Sequence, residues 1–379
     1  MSEPSTDAAT PAPPAEWSIP RGLIVLLSLG AAVVTIAGLK AFSGIVGPVF
    51  LALMLTIAVQ PIQSWARRKG WPAWLGMAAA LVAVVAILFG IGGALALSAV
   101  QLASLLPDYA DKLNELLDHV RGWLSDLGVS SDQIHKALSG IDVGKAAGWI
   151  EQVLGGVLGV FSNLFFVLAL LLFMAVDGIT MDRRLAMVAR ERPAIAQALD
   201  SFVTGTRKYL IVSTVFGAIV AVIDGGALWL MGVPLPILWA LLSFITNYIP
   251  NVGFVIGVIP PALLALLDGG PVLMLWVIVI YSVINFVIQS IIQPKFVGDA
   301  VGLGVTITFL SLVVWAWVLG ALGALLAIPL TLLVKALLLD IDPTTRWADV
   351  LIGAPMDKKA APQRESGRSA PADTAGAKE

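Results

Sequence analysis

Apolar runs broken by short polar or Gly/Pro interruptions dominate this chain. A bilayer-spanning helix needs about 20 mostly apolar residues. Runs of that order cover 23–39, 43–59, 74–106, 153–176, 210–231, 237–267, 272–292 and 305–339. The first two are short, and only Lys40 with a few neighbours separates them, which suggests a tight hairpin. The third exceeds what one crossing needs and is expected to extend past the bilayer. The sixth is interrupted by Ile249-Pro250-Asn251-Val252-Gly253 and again by Pro260-Pro261. Proline removes a backbone N–H and glycine opens unusual dihedrals, so a broken helix is expected there. Gly269-Gly270-Pro271 marks the next turn, and Gly320, Gly323 and Pro329 divide the last run. The pattern predicts an all-α polytopic membrane protein of about eight transmembrane helices, the sixth of them broken.

The stretch 107–151 departs from this pattern. It holds eight acidic and four basic residues, and Leu113, Leu116, Leu117, Val120, Trp123, Leu124 and Leu127 recur in it at helical spacing. It reads as an amphipathic helical segment outside the hydrocarbon, with its apolar face on the membrane surface, on a partner subunit or on its own bundle. The division expected is a disordered tail at 1–20, helices 1–3 over 21–106, the extramembrane segment 107–151, a transport core of helices 4–8 over 152–340, and a largely disordered tail at 341–379. The first twenty residues lack the basic start of a signal peptide.

Composition agrees with a membrane setting: 58% of the 379 residues are hydrophobic and 13% charged, against roughly 25% charged in soluble domains. Mean hydropathy is +0.92. Cytoplasmic loops concentrate Lys and Arg. Such residues gather at Arg67–Lys69, across 177–208, and at Arg346, Lys358, Lys359, Arg364 and Arg368. Eight crossings with both termini in the cytoplasm place all three groups on that side and the acidic 107–151 segment on the other. Cysteine is absent and there are two histidines, His119 and His135. No metal site, no catalytic residue and no cofactor is therefore expected, and nothing points to nucleic acid. His-Glu-x-x-His, Gly-x-Ser-x-Gly and a phosphate-binding P-loop do not occur, so the chain is read as not an enzyme. Asp224 and Asp299 lack the Gly-x-Gly-Asp setting of intramembrane aspartyl proteases.

Candidate chemistry lies inside the apolar runs. Asn285, Gln289 and Gln293 are spaced by four and form one polar stripe on a helix face. An amide facing lipid would lose its hydrogen bonds at a cost of several kcal/mol, so the stripe is expected to face protein or water. Asn247 and Asn251 are also four apart and flank Pro250, just before Gly253. Broken helices at membrane depth line cavities in transporters; the bland alternative is a kink with the asparagines holding helices together. Asp224 sits in the fifth run. An ionisable group there is a functional candidate by default, as a proton site, a cation ligand or a partner of Lys295, against the alternative of a structural carboxyl. Lys295 and Asp299 follow the stripe as a gate or an interface anchor. Trp71, Trp74, Trp123 and Trp149 read as interfacial anchors, and Trp315 and Trp317 as deeper packing or pore residues.

Three motifs resemble the AI-2E family of transporters: Asn247-Tyr-Ile-Pro-Asn-Val-Gly253, Gln289-Ser-Ile-Ile-Gln-Pro-Lys-Phe-Val-Gly298, and Gly320-Ala-Leu-Gly-Ala-Leu-Leu-Ala-Ile-Pro329. They occur in the family's order and spacing, and the resemblance covers roughly 20–340. It implies about eight membrane helices with an extramembrane helical segment between the third and fourth, a multi-pass protein of the bacterial inner membrane, and a homo-oligomer. Some members are associated with export of autoinducer-2, a small hydroxylated signal molecule, and others resemble sodium/proton antiporters. Asn251 stands where many members carry an aromatic residue.

The reading is a secondary transporter or exporter of a small polar, autoinducer-2-like solute. Its expected path is Asn247, Pro250, Asn251, Gly253, Asn285, Gln289 and Gln293. Asp224 would couple a proton or sodium ion, and Lys295 with Asp299 would gate. The alternatives are a sodium/proton antiporter and a membrane scaffold acting through 107–151.

Overall fold

A computed structural model describes residues 20–127, 143–250, 252–293 and 303–341. The described elements are helical and build a polytopic membrane protein. They are α1 (Arg21–Ala41), α2 (Ser43–Arg68), α3 (Ala73–Asp126), α4 (Val143–Glu191), α5 (Pro193–Leu230), α6 (Pro236–Thr246), α7 (Gly253–Asn285), α8 (Val305–Leu319), α9 (Ala321–Leu325) and α10 (Ala327–Lys335). Phe286–Ile292 and Ala336–Asp340 continue α7 and α10 as wider, π-helical turns.

Among the described residues, five helices are long and apolar enough to cross a bilayer: Gly22–Ala41, Ser43–Arg68, Ala73–Leu105, Pro193–Leu230 and Gly253–Ile292. Leu164–Gly178 with Arg183–Glu191, bent by 64°, makes a sixth if counted as one span, and Pro236–Thr246 and Val305–Leu319 are shorter apolar helices. The apolar side chains are largely on the outside. Leu26, Val34, Val222 and Phe165 are 70%, 72%, 75% and 81% exposed, which hydrocarbon tolerates and water does not. Fully covered positions include the polar Asp224 and Thr206 alongside an otherwise mainly apolar interior.

Two features of the fold position the site. The first is the break after Thr246. Asn247 to Pro250 turn the chain, and α7 leaves antiparallel to α6. A Cβ on Gly257 would lie 3.0 Å from Thr246 Oγ1 and 3.7 Å from Ser243 Oγ, and one on Gly253 would overlap the Thr246 carbonyl. Only glycine admits that approach. The expected broken sixth helix is thus a helical hairpin. The second feature is Gly270, whose φ of 79° divides α7 where Gly269-Gly270-Pro271 predicted a turn. The arm 253–269 belongs to the hairpin, and the arm from Pro271 onward carries the amide stripe.

α3 is one 54-residue helix that runs through Pro107. At 1.5 Å per residue it is about 80 Å long, far beyond a hydrocarbon core of about 30 Å. Its continuation past Leu105 is the first part of the hydrophilic segment expected from the sequence, and 128–142 lie outside the described residues. The last apolar run divides at Gly320 (φ 68°) into α8, α9 and α10, and Pro329 falls in the first turn of α10, where its missing N–H costs nothing. Met54, Phe202, Tyr209, Leu319 and Leu330 join α2, α5, α8 and α10 in one apolar cluster. Leu228, Trp239, Ala265, Val277 and Tyr281 join α5, α6 and both arms of α7 in another.

Candidate functional site

Small residues on α5 bring α6 against it. A Cβ on Gly225 would lie 2.8 Å from the Ala240 Cβ, and one on Gly217 would lie 2.9 Å from Asn247 Nδ2. This close approach, common between membrane helices, puts Ser243 beside Asp224. Ser243 Oγ donates to Asp224 Oδ2 at 2.8 Å. Asp224 is fully buried, and its Oδ1 has no hydrogen-bond partner among the described residues. The Tyr281 hydroxyl, on the second arm of α7, lies near Ser243 and Asp224 and is also buried and unpartnered there.

The amides sit next to this group. Asn285 Nδ2 donates to the Tyr281 carbonyl at 2.9 Å. Gln289 Nε2 donates to Asn285 Oδ1 at 2.9 Å and across to Asn247 Oδ1 at 3.2 Å. Asn247 Nδ2 donates to the Ser213 carbonyl on α5 at 3.1 Å. Beside Asn247, Tyr209 donates to the Tyr248 carbonyl at 2.6 Å, and the Tyr248 and Thr214 hydroxyls share a 2.6 Å hydrogen bond. Gln289 lies in the π-helical stretch, a distortion often met at functional sites. Ser243, Thr246, Asn247, Gly257, Tyr281, Asn285 and Gln289 line a cavity of about 10 Å³, room for about one water molecule.

Three of the expected path residues, Asn247, Asn285 and Gln289, therefore meet. In this conformation they bond to one another and close the space between α5, the hairpin and α7; among the described residues they line a small closed cavity and no open channel. Pro250 and Gly253 shape the hairpin tip. Gln293 is half-buried at the end of the π-helical stretch, and no hydrogen bond joins it to the network among the described residues. Asn251, Lys295 and Asp299 lie outside the described residues. The described partner of Asp224 is Ser243. Trp315 Nε1 donates to Thr331 Oγ1 at 3.1 Å and packs between helices, whereas Trp317 is 60% exposed with Lys40 3.7 Å above its ring.

Ser243, Thr246 and Tyr281, which the structure adds to the candidate cluster, are not among the residues expected from the sequence. The signal was present: Tyr281 extends the 285–289–293 stripe backward by four, and Ser243 does the same for Asn247.

The sequence matches the AI-2E family transporter description over residues 29–342. It is 31% identical over 325 residues to the "AI-2 transport protein TqsA" of Escherichia coli (strain K12), covering 83% of this chain and 91% of that protein. It is 30% identical over 331 residues to a "Putative transport protein" of Haemophilus influenzae, covering 86% and 95%. It is 28% identical over 314 residues to the "Putative transport protein YhhT" of E. coli (strain K12), covering 83% and 90%. With the match spanning nearly all the described helices, the chain belongs to the AI-2E transporter family.

Proposed function

We propose that this transporter carries a small polar solute of the autoinducer-2 kind, and that the cluster of Asp224, Ser243, Asn247, Tyr281, Asn285 and Gln289 is its site in a closed conformation. The observation that carries the reading is convergence. Polar side chains from α6, the turn after it and α7, otherwise costly in a bilayer, line one cavity; Asp224 of α5 joins them through its hydrogen bond with Ser243, and Asp224 Oδ1 and the Tyr281 hydroxyl have no hydrogen-bond partner among the described residues. A purely structural network gains nothing from orphaned donors and acceptors, each of which costs about 1–3 kcal/mol. A neutral hydrogen bond contributes about 0.5–1.5 kcal/mol net, so the several donors and acceptors here suit millimolar to micromolar binding. Opening requires the hairpin tip to move away from Gln289, which breaks the 3.2 Å hydrogen bond that Gln289 Nε2 donates to Asn247 Oδ1. The test is uptake of labelled autoinducer-2 into proteoliposomes. Gln289→Leu is expected to abolish it while leaving membrane insertion intact; undiminished uptake rejects the site.

The cavity size favours a second reading. About 10 Å³ holds an ion or a water, not a furanone-sized solute, and a buried carboxyl beside it suits a proton or sodium ion. As a sodium/proton antiporter, the protein would exchange sodium for protons in liposomes with no organic solute present, and Asp224→Asn would remove that exchange.

A further inference from the structure

The hairpin that delivers Ser243, Thr246 and Asn247 to the cluster is tied at its far end to the hydrophilic continuation of α3. Asp268, at the elbow between the two arms of α7, accepts two hydrogen bonds on Oδ1. One comes from the Tyr109 hydroxyl at 3.2 Å and one from Lys112 Nζ at 3.1 Å. Lys112 Nζ also sits 5.0 Å from the centre of the Tyr109 ring, within cation–π range. The Tyr109 ring is itself buried, in the apolar cluster that includes Val258, Ala262 and Ala265 of the hairpin arm. One aromatic body thus packs on the arm while its hydroxyl and the neighbouring ammonium hold the elbow carboxylate.

The elbow is built to turn. Gly270 has φ 79°, which side chains rarely adopt, and a Cβ on Gly269 would lie 2.5 Å from Leu273 Cδ2. From Asp268 to Gly253 the arm is a continuous helix of about 22 Å, so a small rotation at the elbow is carried to the tip as a displacement of Thr246 and Asn247. The elbow lies where α3 has left its apolar stretch, and the Asp268 and Lys112 side chains are 31% and 44% exposed. The pair is therefore open to solvent and salt.

We infer that Tyr109 and Lys112 are positioning residues for transport: through Asp268 they hold the hairpin in the closed arrangement and set how readily its tip leaves Gln289. The inference rests on the cluster being the transport site, but its test reads the hairpin directly and needs no solute. The full chain, purified into lipid nanodiscs, is followed by hydrogen–deuterium exchange in the wild type, Lys112→Ala, Tyr109→Phe and the charge exchange Lys112→Glu/Asp268→Lys. An exposed pair shifts a local equilibrium by up to about fivefold. Lys112→Ala is expected to raise exchange at the tip, residues 243–249, by about three- to fivefold. Tyr109→Phe should raise it less, the charge exchange should bring it back toward wild type, and peptides of α2 should be unaffected. An increase confined to residues near 112 and 268, or no increase, overturns the inference, because an isolated surface pair would behave in that way. If Lys112→Ala fails to fold, the wild type at low and high salt serves instead, since salt screens an exposed pair. Tip exchange that rises with salt supports the inference, and unchanged exchange overturns it. Loss of the autoinducer-2 result with a positive exchange result would sink the solute assignment alone.

Discussion

Replacing Gln289 by leucine removes a side chain that donates to two others. Its Nε2 bonds to Asn285 Oδ1 at 2.9 Å and to Asn247 Oδ1 at 3.2 Å. Asn285 is 8% exposed, and its own Nδ2 is committed to the Tyr281 carbonyl, so its Oδ1 is left buried without a donor among the described residues. An acceptor stranded in that way costs about 1–3 kcal/mol. The bond to Asn247 crosses between helices in the bilayer, where such contacts average about 0.6 kcal/mol and reach about 1.7. The two together give about 2 kcal/mol, roughly a 30-fold change in the folding equilibrium. Asn285→Leu should cost a similar amount for the mirror reason. The double variant removes donor and acceptor together, which is far less costly than stranding one of them, so it should fall short of the sum by about 1 kcal/mol. Unfolding of the four proteins in bicelles, titrated with denaturing detergent, gives the double-mutant cycle. If the two costs add to within about 0.3 kcal/mol, the amides do not act on one another and the joined network is wrong.

Two further outcomes rest on neighbouring geometry. Gly225→Ala should destabilise by about 1–3 kcal/mol through overpacking, because its Cβ would sit 2.8 Å from Ala240. Gly226→Ala, with open space around it, should be neutral or slightly stabilising from helix propensity; equal melting temperatures for the two variants would refute the close α5–α6 approach. Asp224→Asn keeps the shape and an oxygen for Ser243 to donate to, so the fold should survive. Any sodium or pH dependence of transport should vanish in that variant, and dependence that persists removes Asp224 from coupling.

The polar core was legible in the sequence because spacing by four is a property of the helix itself. It put Asn285 and Gln289 on one face, and the expense of amides in lipid turned that face inward. Spacing by four also marked Tyr281 and Ser243, but single hydroxyls on apolar helices serve so many local bonds, as Thr214 to the Leu210 carbonyl does here at 2.6 Å, that they carry little signal. Pro250 and Gly253 announced a break without its angle. The return of α7 along α6 depends on the approach of Gly257 to Thr246 and of Gly225 to Ala240, contacts between separate helices that no local pattern encodes. The Ser243–Asp224 bond spans 19 residues and exists only once that hairpin has formed. Nor does any periodicity announce the π-helical turns at 286–292, since apolar residues there satisfy either winding.

The most direct test asks whether the cluster meets water during the working cycle. The chain has no cysteine, so Ser243→Cys introduces a single thiol within the proposed site. Membrane-impermeant maleimide is applied from one side and then from the other to oriented proteoliposomes, with Cys at the outward-facing Val222, 75% exposed within the apolar span of α5, as a control. The account predicts labelling at 243 from both sides, at rates that change when autoinducer-2 or sodium is added, and none at 222. A folded protein whose residue 243 stays unlabelled from either side would make the cluster a dry structural lock and contradict the account.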